Sequence, residues 1–388
     1  MKRTFDRNQQ VSGKDAKRVR DHRSKRRRVS EDSAVKKPAA DHKAPRFEVE
    51  VLDGLAAICR KEIAERVAGH GEIFHSKNPA AIAFEYTGRR GELLKLRTAV
   101  AVFEVLYFKV PHPLSIVQGA HVDRLIAAIV AIRSAGRFSS FRIGAAGSDS
   151  KVFQKIKRTI ELETGLVNDE EQGQMSIRFR RSQVKPFGWD VLIRLTPLPL
   201  SARAWRVENM PGALNATIAA AMIREMDPKP HDRFLNVMCG SGTLLAERAA
   251  ICPAKELIGV DTSRPALEKA RANLSRVKVL TLVERDARRL PLRDASVNAV
   301  CADLPWGRLI GEKQELERCY VESLREMTRV CEFGGRLAVI TQESSLFDKA
   351  LDAYQAYWTV MRRFRVKQSE YKPTVYLMER GRKPFVAE

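Results

Sequence analysis

The spacing of hydrophobic residues changes character twice along this chain. Near Arg46 it alternates: Phe47, Val49 and Val51 share one side, as in a strand. Leu55, Ile58, Cys59, Ile63 and Val67 then recur at helical spacing. Residues 81–86 read as a strand, and 93–110 as a short helix followed by a strand. A second small unit is predicted to hold a helix over 122–134, a strand over 139–143, a helix from an N-cap at Asp149 to Gly165, and strands over 175–181 and 189–196. Pro197 and Pro199 mark its end. From Arg203 onward strand and helix alternate. Strands fit 233–237, 257–260, 280–284, 297–302, 336–341, 360–366 and 374–379, with helices between the first five. The last two are joined by only 367–373, so they should form an antiparallel hairpin at the end of the sheet. The pattern predicts an α/β protein, with a Rossmann-like, mostly parallel seven-stranded sheet behind two smaller α+β units. The predicted boundaries are 1–44, 45–110, 111–200 and 201–388.

Charge changes the picture at the N-terminus and in the choice of partner. Residues 1–44 hold fifteen Lys/Arg against six Asp/Glu, and almost no large apolar side chains, so the segment is expected to be a disordered basic tail. Its run Lys25-Arg26-Arg27-Arg28 reads as a nuclear address or an RNA-holding arm. The whole chain carries a net charge of +22, which favours a polyanionic partner through counterion release. On the predicted helix ending at Gly165, Lys151, Lys155 and Arg158 share a face where they could meet phosphates. No apolar run is long enough to span a membrane. The six cysteines make no CxxC pair and have no histidine cluster beside them, so neither zinc nor a disulfide framework is expected, and a reducing compartment fits.

Four segments carry candidate chemistry, each at the end of a predicted strand. In Asn236-Val237-Met238-Cys239-Gly240-Ser241-Gly242-Thr243 a strand enters a tight glycine turn and a helix begins, offering free N–H groups to a ligand. Asp261 ends the next strand, 19 residues beyond Gly242, where an acid can accept both hydroxyls of a ribose. Asp286-Ala287 follows the third strand; the carboxylate could accept from an adenine amino group and the Ala287 N–H could reach a ring nitrogen. Asp303-Leu304-Pro305-Trp306-Gly307 follows the fourth. There a carboxylate and the Leu304 carbonyl can accept from an –NH2 group, Pro305 sets the turn, and Trp306 offers a stacking face. Adenine N6, cytosine N4 and guanine N2 all present such an amine, so this motif leaves the base open.

Together these segments resemble the class I S-adenosylmethionine methyltransferases that carry an (Asp/Asn)-Pro-Pro-aromatic motif. More narrowly, the chain resembles the THUMP-domain RNA guanosine N2-methyltransferases. That likeness is carried by the glycine loop, by 303–307, by the approach Pro211-Gly212-Ala213-Leu214-Asn215-Ala216-Thr217, and more diffusely by 141–194 with its exit Arg203-Ala204-Trp205-Arg206. The resemblance implies a ferredoxin-like unit, a THUMP RNA-binding unit and a catalytic domain using S-adenosyl-L-methionine. It implies a tRNA substrate held by its acceptor end, with ribosomal RNA as the alternative, and adds Arg203 and Arg206 as RNA contacts. Asn236 stands where an acid is common, and Leu304 replaces the middle proline, as in the guanosine N2 branch. A cytoplasmic monomer without metal is expected.

Other readings are weaker on the residues. A non-catalytic RNA-binding factor would need the loop or the Asp303 segment damaged, and both are intact. A methyltransferase for a protein glutamine amide fits the basic chain poorly. A 5-methylcytosine enzyme needs a nucleophilic cysteine, and Cys301 lies on a predicted core strand.

Overall fold

The computed structural model describes residues 44–74, 78–183, 185, 187–307 and 313–386. The expected basic tail lies outside the described residues, save Ala44. The first half of the described chain holds β1 (Arg46–Glu50), α1 (Ala56–Arg66), β2 (His70–Phe74), β3 (Ala81–Tyr86), α2 (Arg90–Leu93), β4 (Ala101–Phe108), α3 (Ala120–Ala135), β5 (Ser140–Gly144), α4 (Lys151–Thr164), β6 (Val167–Asn168), β7 (Met175–Arg181) and β8 (Trp189–Arg194). The second half holds α5 (Ala216–Glu225), β9 (Arg233–Val237), α6 (Thr243–Ile251), β10 (Glu256–Asp261), α7 (Arg264–Asn273), β11 (Leu280–Glu284), β12 (Val297–Asp303), α8 (Lys313–Val330), β13 (Cys331–Thr341), α9 (Ser344–Ala353), β14 (Trp358–Arg365) and β15 (Thr374–Arg380).

The first eight strands form one sheet in the order β2-β3-β1-β4-β8-β7-β5-β6. The expected boundary near residue 110 therefore does not separate two sheets: β4 pairs antiparallel with β8, from Phe103 opposite Arg194 to Phe108 opposite Trp189. One core runs under both parts, from Phe47, Phe84 and Leu106 to Ile129, Ile156 and Ile193. Helix α4 shows why the pattern was readable. Phe153, Ile156 and Ile160 are buried on one stripe, and Gly165 closes the helix in the left-handed conformation (φ 67°) that a C-terminal glycine adopts without strain. Its N-cap is Ser150, not Asp149, and no side chain caps it.

The second sheet has the order β11-β10-β9-β12-β13-β15-β14, parallel except for β15, which runs antiparallel to β13 and β14. Both faces are covered. Residues of α5, α6 and α7 (Ile218, Leu245, Ala270) pack on one face, and Tyr320 and Leu324 of α8 with Phe347 of α9 on the other, as a doubly wound sheet requires. One expected helix is missing. Residues 285–296 cross from β11 to β12 without one. Pro291 has no N–H to donate, and the Asp286 carboxylate takes the Arg288 N–H at 2.9 Å, holding a local turn instead. Helix α9, which the pattern did not predict, precedes the terminal hairpin.

A buried polar cluster ties the two sheets together. Glu247 of α6 is fully buried and accepts from Arg97 Nε (2.7 Å) and Arg203 Nε (2.9 Å). Glu62 of α1, also buried, accepts the Thr98 N–H (2.9 Å) and hydroxyl (2.6 Å) and pairs with Arg224 of α5 at 3.7 Å.

Candidate active site

The glycine loop follows β9 and turns through left-handed backbone at Met238 (φ 53°), Gly240 (φ 51°) and Gly242 (φ 83°). A Cβ on Gly242 would lie 2.8 Å from Leu274 Cδ1 and 3.3 Å from Ala270 Cβ, so only glycine lets the loop close onto α7. The Gly240 N–H donates to Asp261 Oδ2 at 2.8 Å, and the Ser263 N–H to Asp261 Oδ1 at 2.9 Å. Asp261 thus binds the loop and the start of α7, while lone pairs on both oxygens remain for further donors.

Several expected contact residues turn inward. Ser241 and Thr243 are buried; the Ser241 carbonyl accepts Asn273 Nδ2 (3.0 Å) and the Thr243 hydroxyl accepts Arg206 Nη2 (3.0 Å). Cys239 is buried, and burial, reinforced by the Asp261 charge, pushes its thiol well above the usual range. Asn236 lies inside the sheet and spends its amide N–H groups on the Val237 and Cys301 carbonyls, both at 3.2 Å. Its Oδ1 is buried without a partner. Loop residues 239, 241 and 243 therefore offer backbone rather than side chains. Cys301 is buried and packs its sulfur 3.1 Å from Met226, as expected of a core residue.

Asp286 lies beyond β11 as expected, but Arg288 grips it with Nε at 3.0 Å and Nη2 at 2.7 Å from Oδ2. These bonds hold the carboxyl below its ordinary range. Arg288 also reaches Glu315 of α8 at 2.7 Å. Ala287 is buried beside it. The sequence gives no sign of this arginine's role, because its second partner comes from a distant helix.

Asp303 ends β12, paired with Ile340 of β13. Desolvation pushes its carboxyl up to about 7, opposed by the neighbouring Trp306 side chain. Leu304 is buried and donates its N–H to the Ile340 carbonyl at 3.0 Å, which carries the strand pairing one residue further. The Pro305 carbonyl accepts the Tyr320 hydroxyl at 2.6 Å; that hydroxyl lies 2.6 Å from Thr341 Oγ1, which also accepts the Glu343 N–H at 2.9 Å. Helix α8 and the end of β13 thus brace the turn. Trp306 meets Tyr371 edge-on, with ring centroids 5.4 Å apart at 65°, and its indole N–H is buried on the side of the Asp303 carboxyl, whose ionised form it favours. Tyr371 comes from the β14–β15 connection, where Ser369 adopts φ 54° and Gln368 accepts the Asn215 N–H at 3.1 Å. Neither Tyr320 nor Tyr371 has a spacing that would reveal it in the sequence.

The structure separates the expected RNA contacts into two groups. Lys151, Lys155 and Arg158 are exposed on α4. Arg203 is consumed in the Glu247 cluster, and Arg206 donates to the Leu214 carbonyl and Thr243 and stacks on Trp205. Both act as interior braces, because buried carboxylate and carbonyl acceptors take their N–H groups. Among the described residues no helix is long and apolar enough to cross a membrane, and no three His, Cys, Asp or Glu could hold a metal ion.

Residues 203–372 match a family model described as an RMKL-like methyltransferase domain. The tRNA (guanine(6)-N(2))-methyltransferase THUMP3 of Mus musculus is 32% identical over 191 residues, covering 45% of this chain and 38% of that protein. The U6 snRNA (guanine-N(2))-methyltransferase THUMPD2 of Bos taurus is 31% identical over 149 residues, 38% of this chain and 28% of that protein. The chain thus matches well under half the length of either relative. The crystal structure of TrmN from Thermus thermophilus superposes with a TM-score of 0.70 over 87% of this chain and 99% of that one, at 22% identity, which establishes a shared fold.

Proposed function

We propose that this chain, whose residues 203–372 belong with the RMKL-like methyltransferase domains, is an S-adenosyl-L-methionine-dependent RNA methyltransferase acting on the exocyclic N2 of a guanosine, most simply in the acceptor stem of a tRNA. The observation that carries the reading is Asp303. Its carboxyl stands at the carboxyl end of a central strand, raised to about 7 by desolvation, next to an aromatic pair from two separate elements. Ligands of doubly wound sheets bind beyond such strand ends.

The residues present fit the cofactor. The loop of 239–242 brings backbone to the start of α6, Asp261 keeps acceptor capacity for ribose hydroxyls, Asp286 follows the next strand, and Asn236 Oδ1 is a buried acceptor with no partner. When bound, S-adenosylmethionine supplies an electrophilic sulfonium methyl. The protein's part is placement and desolvation. Above about pH 7 the Asp303 carboxylate accepts an N–H of the base amine. The Pro305 turn, braced by Tyr320 and Thr341, holds the Leu304 backbone in register beside it. Trp306 and Tyr371 offer faces for a base taken out of its stack. Stretch 111–200 is read as the THUMP unit and 45–110 as the ferredoxin-like unit, with Lys151, Lys155 and Arg158 meeting phosphates.

Asp303→Ala tests the reading directly. Calorimetry should find S-adenosylmethionine affinity within about threefold of wild type, while methyl transfer to RNA falls at least roughly 100-fold, as when a group acting in the transition state is removed. Full transfer activity in this variant would overturn the mechanism.

A further inference from the structure

Between α9 and the β14–β15 hairpin lies a cleft of about 360 Å³, lined by Ser344, Asp348, Arg363, Arg365, Thr374 and Tyr376 among others. It is distinct from the glycine loop, yet it opens at the same end of the sheet. Thr374 pairs with Thr341, whose hydroxyl braces the Pro305 turn through Tyr320. Three strand spacings of about 4.8 Å separate β12 from β14, so the cleft stands about 14 Å from Asp303.

The side chains suit a polyanion. Residues 358–372 hold five basic side chains, Arg362, Arg363, Arg365, Lys367 and Lys372, against one acid, Glu370. All five are exposed. Arg362 is paired with Glu225, and Arg363 lies 3.1 Å from Asp348 and 4.9 Å above the Tyr376 ring. Arg365, Lys367 and Lys372 have no ion pair among the described residues, so their charge is available. Tyr376 donates its hydroxyl to the Ser344 carbonyl at 3.3 Å, which fixes the floor of the cleft. The strip continues toward the N-terminal sheet, because the Lys367 N–H donates to the Asp53 carbonyl at 3.0 Å. Its far turn carries Tyr371 to Trp306.

We propose that this cleft is a phosphate-binding subsite for the RNA backbone near the target base, with Arg363 and Arg365 as its cationic groups and the Ser344 and Thr374 hydroxyls beside them. The inference rests on the RNA methyltransferase reading. In the free protein Asp348 neutralises Arg363; an arriving phosphodiester replaces it as the partner. The hairpin then has two functions, since one ribbon presents an aromatic face to the base and anchors the chain that bears it.

The test is the affinity of an unmodified tRNA transcript between about 50 and 200 mM salt, with methyl transfer measured on the same preparations. Arg363→Gln/Arg365→Gln should weaken binding about tenfold or more at about 100 mM and lower the log–log salt slope by about 1.5, given 0.7–0.9 per phosphate contact. Asp348→Asn should tighten binding. S-adenosylmethionine affinity should be unchanged in both. Arg264→Gln/Arg271→Gln on α7 removes the same charge elsewhere and should leave the slope within about 0.5 of wild type. A folded Arg363/Arg365 double variant with wild-type affinity and slope would overturn the subsite, as would an equal loss in the α7 control. If wild type binds and methylates RNA while the double variant matches it, only the subsite fails. If wild type neither binds nor methylates any RNA, the methyltransferase reading fails and takes the subsite with it.

Discussion

Asp303 is a carboxyl group held where its charge is costly. Its folded pKa, about 7, exceeds the ordinary aspartate value of about 3.9 because burial strips it of water, with the Trp306 side chain opposing. A raised carboxyl favours the protonated form in the fold. It is neutral in both states below about pH 4, and stability is lost as pH climbs from there through about 7. Asp303→Asn should therefore raise the melting temperature at pH 8 and change it little at pH 4. The transfer rate of wild type should rise across pH 6–8 as the acceptor ionises. A wild-type rate flat from pH 5 to 8 would mean that the carboxylate is not the acceptor. Tyr371 is the second prediction at this scale. Losing one stacking face costs roughly 1–3 kcal/mol, so Tyr371→Ala should lower transfer about 10- to 100-fold with cofactor affinity intact, and Tyr371→Phe should restore most of it. Wild-type turnover in Tyr371→Ala would remove the residue from the site. Asp303 and Trp306 were legible because they are neighbours on one strand end. Tyr371, Tyr320 and Arg288 were not, because their partners lie 65, 15 and 27 residues away on other elements.

At the scale of elements, the sequence pattern worked where one face of an element meets the core. The stripe of α4 shows this; the short apolar run Ala299–Ala302 of β12, buried on both faces, and the short connection that makes β14 and β15 a hairpin were equally readable. It failed across 285–296, where a proline and an aspartate turn replace a helix. The RNA contacts that the family resemblance implied at Arg203 and Arg206 lie instead among interior acceptors, Glu247 of α6 for Arg203 and the Leu214 carbonyl and Thr243 hydroxyl for Arg206, which nothing in the local sequence announces. That acid makes a testable clamp. Glu247 is fully buried and balances both Arg97 and Arg203. Removing one partner of such a cluster leaves uncompensated buried charge, costing about 3–5 kcal/mol. Chemical denaturation of Glu247→Ala should show a loss of that size, and a loss below about 1 kcal/mol would deny the cluster its structural role.

For the whole molecule, the consequence of the clamp is geometric. The sheet carrying α4 and the sheet carrying Asp303 are bound through Glu247 and Glu62, so the proposed phosphate contacts on one would bear on which nucleotide reaches the other. On the proposed function, such a fixed arrangement would select a nucleotide by its place in a folded RNA. The most direct measurement is nucleoside mass spectrometry after incubating the purified chain and S-adenosylmethionine with unmodified tRNA, U6 snRNA and ribosomal RNA transcripts, wild type against Asp303→Ala. The account predicts N2-methylguanosine, formed by wild type in tRNA and absent with the variant. N6-methyladenosine as the product, or no methylated nucleoside in any of the three RNAs, would contradict it.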